Sequence, residues 1–416
     1  MKLWTWAVGA LATAAVAGVA AFGVTAQREL GALQHAPAFA LPAPSPVLEP
    51  ASPKIVDATA RLSTLTSLAA NPALGTFHGR ISSADTGEVI FDTSSAEPLR
   101  PASTTKLLTA SAALYELGSK DTITTNVYCG EHEGDVVIKA AGDVWMTNES
   151  LDSLAGQIGS ASAVYVDVSA WPSESTMPGW NPDDIDGGYV APLEPIMLYG
   201  ARIGATEGDV PRSHTPALDV AQALADRLGA GTVGFTQVPA GAQHLASIHS
   251  PDLAERMREM MKDSDNVMAE AIGREVAARR GQSSPQATMD VLSEHGYDLS
   301  NVTLSDSSGL STNNLIPPRL LDQLLLDAAR TTDLRPLLET LPVAAADGTL
   351  ATRYDGLDGR GWVRAKTGTL DNTNALAGTV TSTVGNVYTF AFISNGSDID
   401  EARRALDELA SALRDF

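Results

Sequence analysis

The apolar positions of this 416-residue chain change period several times between its ends. Thr76–Ser82, the turn residues Asp85-Thr86-Gly87 and Glu88–Asp92 together predict a hairpin with glycine at its turn. Near the other end, Asn374–Thr381 and Asn386–Ile393 predict a second strand pair around Gly385, and Gly361–Ala365 just before it alternates as a strand should. The chain closes with Ile399, Ala402, Leu406, Leu409 and Leu413 at helical spacing, behind Ser397 or Asp398 as the cap. Between these ends Thr104–Leu117 reads as a helix stopped by Gly118, and helical pattern returns over Asp252–Arg279. Strands at both ends with helices between them predict an α+β fold, one antiparallel sheet being assembled from distant parts of the chain.

One long section breaks this pattern. From Asp121 to about Ala240 the chain is rich in strand signals, turns, Pro and Gly, and includes a hairpin of Thr124–Cys129 with Asp135–Ala140. Residues 119–245 are therefore expected to form a β-rich domain inserted into a main domain of residues 55–118 and 246–416. Ahead of both, the uncharged stretch Leu3–Gln27 follows Lys2, and Val24-Thr25-Ala26 offers the small residues a signal peptidase needs. The same stretch is long enough to span a bilayer, so residues 1–26 are a signal peptide or a membrane anchor. Either outcome places the body of the chain outside the cytoplasm, secreted or with an N-terminal membrane contact. Residues 27–54 form a Pro/Ala-rich linker, because six prolines between Gln34 and Lys54 exclude helix and central strand.

Composition narrows the partners. With 44% hydrophobic and 19% charged residues the chain is globular. A net charge of −22 and the lack of any Lys/Arg-rich run exclude nucleic acid. Cys129 is the single cysteine, so no intramolecular disulfide forms. The seven histidines make no H-E-x-x-H. Asp183, Asp184, Asp186 and Gly187 fail as a calcium loop, since positions one and twelve would be Pro182 and Leu193. No metal or other cofactor is expected.

Three short motifs carry the chemistry: Ser103-Thr104-Thr105-Lys106, Ser264-Asp265-Asn266 and Lys366-Thr367-Gly368. A serine hydroxyl needs a base, and the i, i+3 spacing puts Lys106 on the same helix face as Ser103. Lys106 serves as base only when neutral; burial beside Leu107 and Leu108, and a second cation at Lys366, would lower its pKa. Ser264 is placed to pass a proton to a leaving amine, and Asn266 to bind an amide carbonyl. Gly368 would let a substrate backbone approach, and the hydroxyls of Thr367 and Thr369 with Lys366 suit a terminal carboxylate. Taken singly, the motifs also fit a solvated helix turn, a polar helix cap and an edge strand guarded by a lysine. Their order along the chain is what joins them.

These are the S-x-x-K, S-D-N and K-T-G elements of penicillin-binding proteins and class A β-lactamases. The chain resembles the D-alanyl-D-alanine carboxypeptidase/endopeptidase family, the low-molecular-mass class C penicillin-binding proteins, over about residues 70–395. The likeness extends to Met261–Glu270, Leu341-Pro342-Val343 with Asp347–Leu350, Val363–Leu370 with Asn374–Gly378, Asp306–Ser311, Pro178-Gly179-Trp180 and Tyr189–Pro192. It implies a β-lactamase/transpeptidase-like domain and a serine DD-peptidase of peptidoglycan stem peptides, inhibited covalently by β-lactams. Ser103 would be the acylated nucleophile and Lys106 its base. Ser264 and Asn266 would complete the proton relay and substrate grip, while Lys366, Thr367 and Thr369 would bind the terminal D-Ala carboxylate, Lys366 counting among the catalytic residues and Gly368 among the substrate-binding ones. The backbone N–H groups of Ser103 and Thr369 would form the oxyanion hole. The 161 positions from Ser103 to Ser264 make a short insertion for that family, and Ser307 and Thr312 depart from its loop. Two alternatives share the fold. A β-lactamase needs E-x-x-x-N between the second and third motifs, but Glu270, Glu275, Glu294 and Glu339 are followed four residues on by Arg274, Arg279, Asp298 and Val343. A non-catalytic wall-binding protein would have no need of both Ser103 and Lys106.

Overall fold

The computed structural model describes residues 2–32 and 58–416. Helix α1 (Lys2–Ala32) stands in a unit of its own and is apolar and long enough to cross a membrane from Trp6 to Ala32. It continues six residues past position 26, where the linker was expected to begin; the Pro-rich part of that linker, residues 33–54, lies outside the described residues. The second unit starts with α2 (Ala58–Ala69), the hairpin β1 (Thr76–Ser83) and β2 (Val89–Thr93), and α3 (Lys106–Leu117), which Gly118 ends at φ 81°.

A section with its own sheet follows: β3 (Thr124–Cys129), β4 (Asp135–Lys139), β5 (Asp143–Met146), α4 (Asn148–Ile158), β6 (Ala163–Asp167), β7 (Ile196–Leu198), α5 (Pro216–Leu228), β8 (Thr232–Phe235) and β9 (His244–His249). Its sheet runs β8-β6-β4-β3-β9, so β9 carries it to His249, past position 245. The β3–β4 hairpin is antiparallel, but β4, β6 and β8 are parallel, joined by α4 and α5. Parallel neighbours need such crossovers. These two helices are absent from the strand-and-turn pattern read in the sequence, although Pro216 at the start of α5 and Gly229 behind it are standard helix bounds. Val136, Ile138, Val164 and Val166 meet Leu151, Leu154, Val220 and Leu224 in one core.

The chain then returns through α6 (Leu253–Asp263), α7 (Asn266–Arg280), α8 (Ser284–Glu294), α9 (Pro318–Arg330), α10 (Arg335–Thr340), β10 (Val363–Leu370), β11 (Thr373–Thr381), β12 (Val387–Asn395) and α11 (Ile399–Ala412). Asp398 caps α11 by accepting from the Asp400 and Glu401 amides. The main sheet runs β10-β11-β12-β1-β2, antiparallel throughout, so the two ends of the folded region pair at β1 and β12. Alternation divides its faces. Leu376, Phe390 and Phe392 pack with Leu406 and Leu409 of α11, whereas Ala375, Ala377, Ala391 and Ile393 pack with α3, α7 and α9. Small residues on the second face let the helical layer, with the first and second motifs at its edge, lie close to the sheet that carries the third.

Candidate active site

Ser103 lies in a 3-10 turn, Ala102–Thr105, and Lys106 opens α3 behind it. Sequence spacing placed both on one α-helix; in the tighter turn residues three apart eclipse, which brings them closer. Lys106 Nζ donates to Ser103 Oγ at 3.0 Å, to Asn266 Oδ1 at 2.8 Å and to the Ser308 carbonyl at 2.9 Å. Three acceptors match the three protons of an ammonium. The side chain is fully buried, and burial draws its pKa down to about 8 against the charges of Asp306, Asp265 and Glu270.

The second motif is a corner between helices. α6 ends at Asp263, Ser264 takes left-handed backbone at φ 59°, and Asp265 caps α7 by accepting from the Met268 amide at 2.9 Å. The polar cluster is thus a helix cap as well as part of the site. Asn266 Nδ2 donates to the Tyr189 carbonyl at 3.0 Å, leaving its oxygen to Lys106. Between these two residues Asp265 Oδ2 accepts from Arg202 Nη2 and Arg212 Nη2, each at 2.7 Å. Burial by itself would raise the Asp265 acid; the Arg212 and Arg202 guanidiniums prevail and hold it at about 2.

β10 is an edge strand, but Lys366 is fully buried on it and is no solvated guard. Its Nζ donates to Ser264 Oγ at 2.8 Å and to the Thr367 carbonyl at 2.9 Å. Burial, and then the Lys106 charge, push Lys366 well below the usual lysine range. Burial is the first cause at both lysines, and at Lys366 the charge of Lys106 adds to it. Thr367 Oγ1 donates to Thr349 Oγ1 at 2.8 Å, and Arg403 Nη2 donates to Thr369 Oγ1 at 3.3 Å. Ser103, Ser264, Asn266, Thr367 and Thr369 line one open cleft of about 880 Å³, together with Thr349 and Arg403.

Gly368 has a packing reason to be glycine besides the one its motif suggests. A Cβ there would stand 2.6 Å from the Pro101 carbonyl oxygen and 3.1 Å from Ala102 Cβ. The turn bearing Ser103 approaches the strand here. Gly368→Ala is expected to displace that turn and to cut covalent labelling by fluorescent penicillin about tenfold or more, at a stability cost of about 1–3 kcal/mol. Labelling kinetics and thermal melts check both.

The loop Asp306–Ser311 closes the site from behind. The Asp306 carboxylate accepts from Gly309 N, Ser311 N, Asn314 Nδ2, Ser308 Oγ and Trp180 Nε1, at 2.7–3.1 Å. Gly309, at φ 87°, lies so close to the Ala102 carbonyl that a Cβ would come within 2.0 Å of it. All eight residues singled out in the sequence are brought together, Lys106, Lys366 and Gly368 from beneath the surface. Sequence reasoning missed Arg202, Arg212, Glu270, Thr349 and Arg403. Only Glu270 and Thr349 stood inside segments already marked; the arginines carry no local signal, because their partners are distant along the chain.

An antiparallel sheet backed by helices, with a buried lysine on a serine and a second lysine on another, defines the penicillin-recognising serine enzymes. Within that class the chain belongs to the D-Ala-D-Ala carboxypeptidase 3 (S13) family, whose model matches residues 61–211 and 201–415. It is 40% identical to carboxypeptidase DacB of Mycolicibacterium smegmatis, over 98% of this chain and 95% of that protein. Its fold is similar to that of penicillin binding protein 4 (dacB) from Haemophilus influenzae, with TM-score 0.72 and 22% identity, over 87% of this chain and all (100%) of the other. The structure of the latter complexed with a β-lactam matches with TM-score 0.63 and 22% identity, over 84% and 98% of the two chains.

Proposed function

We propose that this protein is an exported serine-type D-Ala-D-Ala carboxypeptidase/endopeptidase that acts on peptidoglycan stem peptides through an acyl-enzyme on Ser103. Membership of a D-Ala-D-Ala carboxypeptidase family supports the substrate class. The observation that carries the chemistry is Lys106, fully buried and 3.0 Å from Ser103 Oγ. Neutral Lys106 takes the Ser103 proton as Oγ attacks the carbonyl carbon of the penultimate D-Ala. The backbone N–H groups of Ser103 and Thr369 receive the oxyanion. Ser264, held by Lys366, relays the proton gained by Lys106 to the leaving amine; D-Ala departs, and water cleaves the ester. Asn266 grips the substrate amide.

The terminal carboxylate binds at Lys366, Thr367 and Thr369, and its charge favours the ammonium form of Lys366. Residues 55–118 and 246–416 form the catalytic domain in this account, with 119–245 inserted. β-Lactams acylate Ser103 because their strained amide mimics the scissile bond; binding of one by the Haemophilus influenzae protein of the same fold supports this. The apolar helix α1 serves export, as a signal or an anchor.

Arg403 adds a guanidinium beside Thr369. Arg403→Ala is expected to raise KM for a D-Ala-D-Ala peptide about tenfold, with kcat within about twofold, because a charged hydrogen bond to the carboxylate is lost in ground and transition state alike. The proposed activity is tested by incubating the protein with purified muropeptides and weighing the products. Loss of terminal D-Ala or of cross-bridges supports it. Binding to peptidoglycan without any cleavage would favour a non-catalytic role, and rapid turnover of penicillin would favour a β-lactamase.

A further inference from the structure

Glu270 stands one helical turn beyond Asn266 on α7, fully buried and outside the cleft lining. Its Oε1 accepts from the Ser307 amide at 2.7 Å and the Ser308 amide at 3.0 Å. The carbonyl of that same Ser308 meets Lys106 Nζ at 2.9 Å. One carboxyl group thus holds, through its amide, the residue whose carbonyl orients the base, while the Gly309 amide of that carbonyl's own peptide goes to Asp306. Gly273, a residue further along α7, makes room for the contact: a Cβ there would lie 2.2 Å from Ser307 Oγ.

The second oxygen is the informative one. Glu270 Oε2 and the Ser307 hydroxyl beside the same carboxyl are both buried with no hydrogen-bond partner among the described residues. A buried carboxylate oxygen left bare is costly, far more so than a carboxylic acid. The neighbouring Asp306 differs in its hydrogen bonding, its two oxygens taking five donors. The charged groups facing Glu270 are Asp306 from the loop, Lys106 from α3 and Arg274 on its own helix. Arg274 lies over the Trp171 ring at 5.0 Å and sends Nη2 to the Glu174 carbonyl at 3.0 Å; its Nη1 is buried without a partner among the described residues, and its charge pulls the Glu270 acid down, against burial. Lys106 spends its three protons on other acceptors.

We propose that Glu270 is a positioning residue for acylation, which holds the Ser308 carbonyl against Lys106 and does so as a neutral carboxylic acid. Burial, and the charge of Asp306 after it, push the Glu270 acid up to about 8, in keeping with that state at neutral pH. Neutrality matters to the base. An anion at this position would stabilise the Lys106 ammonium and raise the pH at which neutral Lys106 becomes available.

The inference rests on Ser103 acylation as proposed above, and its test separates the two. In the wild-type protein, penicillin must first acylate Ser103; if it does not, the functional proposal fails. Given acylation, Glu270→Gln keeps the acceptor oxygen and the neutral state. It is expected to acylate within about threefold of wild type, with the acid limb of the pH–rate profile below pH 7.5 unmoved. Glu270→Asp retracts the carboxyl by one methylene and is expected to acylate about tenfold or more slowly, with the noncovalent Kd for penicillin unchanged. Infrared spectra at pH 7 need neither activity nor the aspartate variant: a carboxylic-acid carbonyl stretch present in wild type should be missing from Glu270→Gln. The proposal is overturned if that band is the same in both, or if the acid limb of Glu270→Gln shifts to lower pH. It is likewise overturned if folded Glu270→Asp acylates as fast as wild type.

Discussion

Lys106→Ala is expected to slow acylation of Ser103 by about 10²- to 10⁴-fold, the usual contribution of a positioned general base. The loss should fall on the acylation rate constant and spare penicillin binding, because Lys106 lies beneath the cleft and touches Ser103, Asn266 and Ser308. In wild type the rate should rise with pH. Neutral Lys106 is the working form, and burial sets its pKa at about 8, so the rate climbs about tenfold per unit below pH 8 and levels above it. Lys106→Ala should flatten that limb. Stopped-flow acylation across pH 6–10 measures both effects; a steep limb retained in Lys106→Ala would assign the base to another group.

Asp265→Ala should be the most damaging substitution for stability. It strips the partner from two arginines at once, Arg202 and Arg212, whose side chains are almost wholly buried. An unpaired buried charge costs about 3–5 kcal/mol, and the lost cap of α7 adds about 1 kcal/mol. The damage should also reach activity, since Ser264 and Asn266 flank Asp265 and Arg212 is itself tied to the Gly188 and Gly200 carbonyls. The sign with pH follows from the depressed acid. Stability from Asp265 is complete above the unfolded carboxylate value of about 3.9. It disappears as pH falls through about 2. Urea unfolding at pH 7 gives the first number. Acid titration of wild type and Asp265→Asn gives the second, the variant lacking the loss between those two values.

Much of this arrangement was legible in the sequence because its signals are local. Period-two alternation marked β1, β2, β11 and β12, and caps marked the ends of α3 and α11. The motifs gave seven site residues, and Thr369 beside the third made eight, because each pattern packs its chemistry into three or four positions. What stayed hidden depends on contacts between distant segments. Arg202 and Arg212 lie 63 and 53 positions from Asp265, and no spacing rule connects them. The nearness of Pro101 to Gly368 is likewise a contact between distant segments that its motif does not announce. α4 and α5 were obscured by surrounding turns, though α4 carries a Thr147/Ser150 capping box.

The central claim is that Ser103 is the nucleophile of an acyl-transfer site. Its most direct measurement is the intact mass of the protein after exposure to benzylpenicillin, with the modified residue located by peptide mapping. The account predicts one covalent penicilloyl adduct per chain, on Ser103, and none on Ser103→Ala. No adduct on wild type, or an undiminished one on Ser103→Ala, would contradict it.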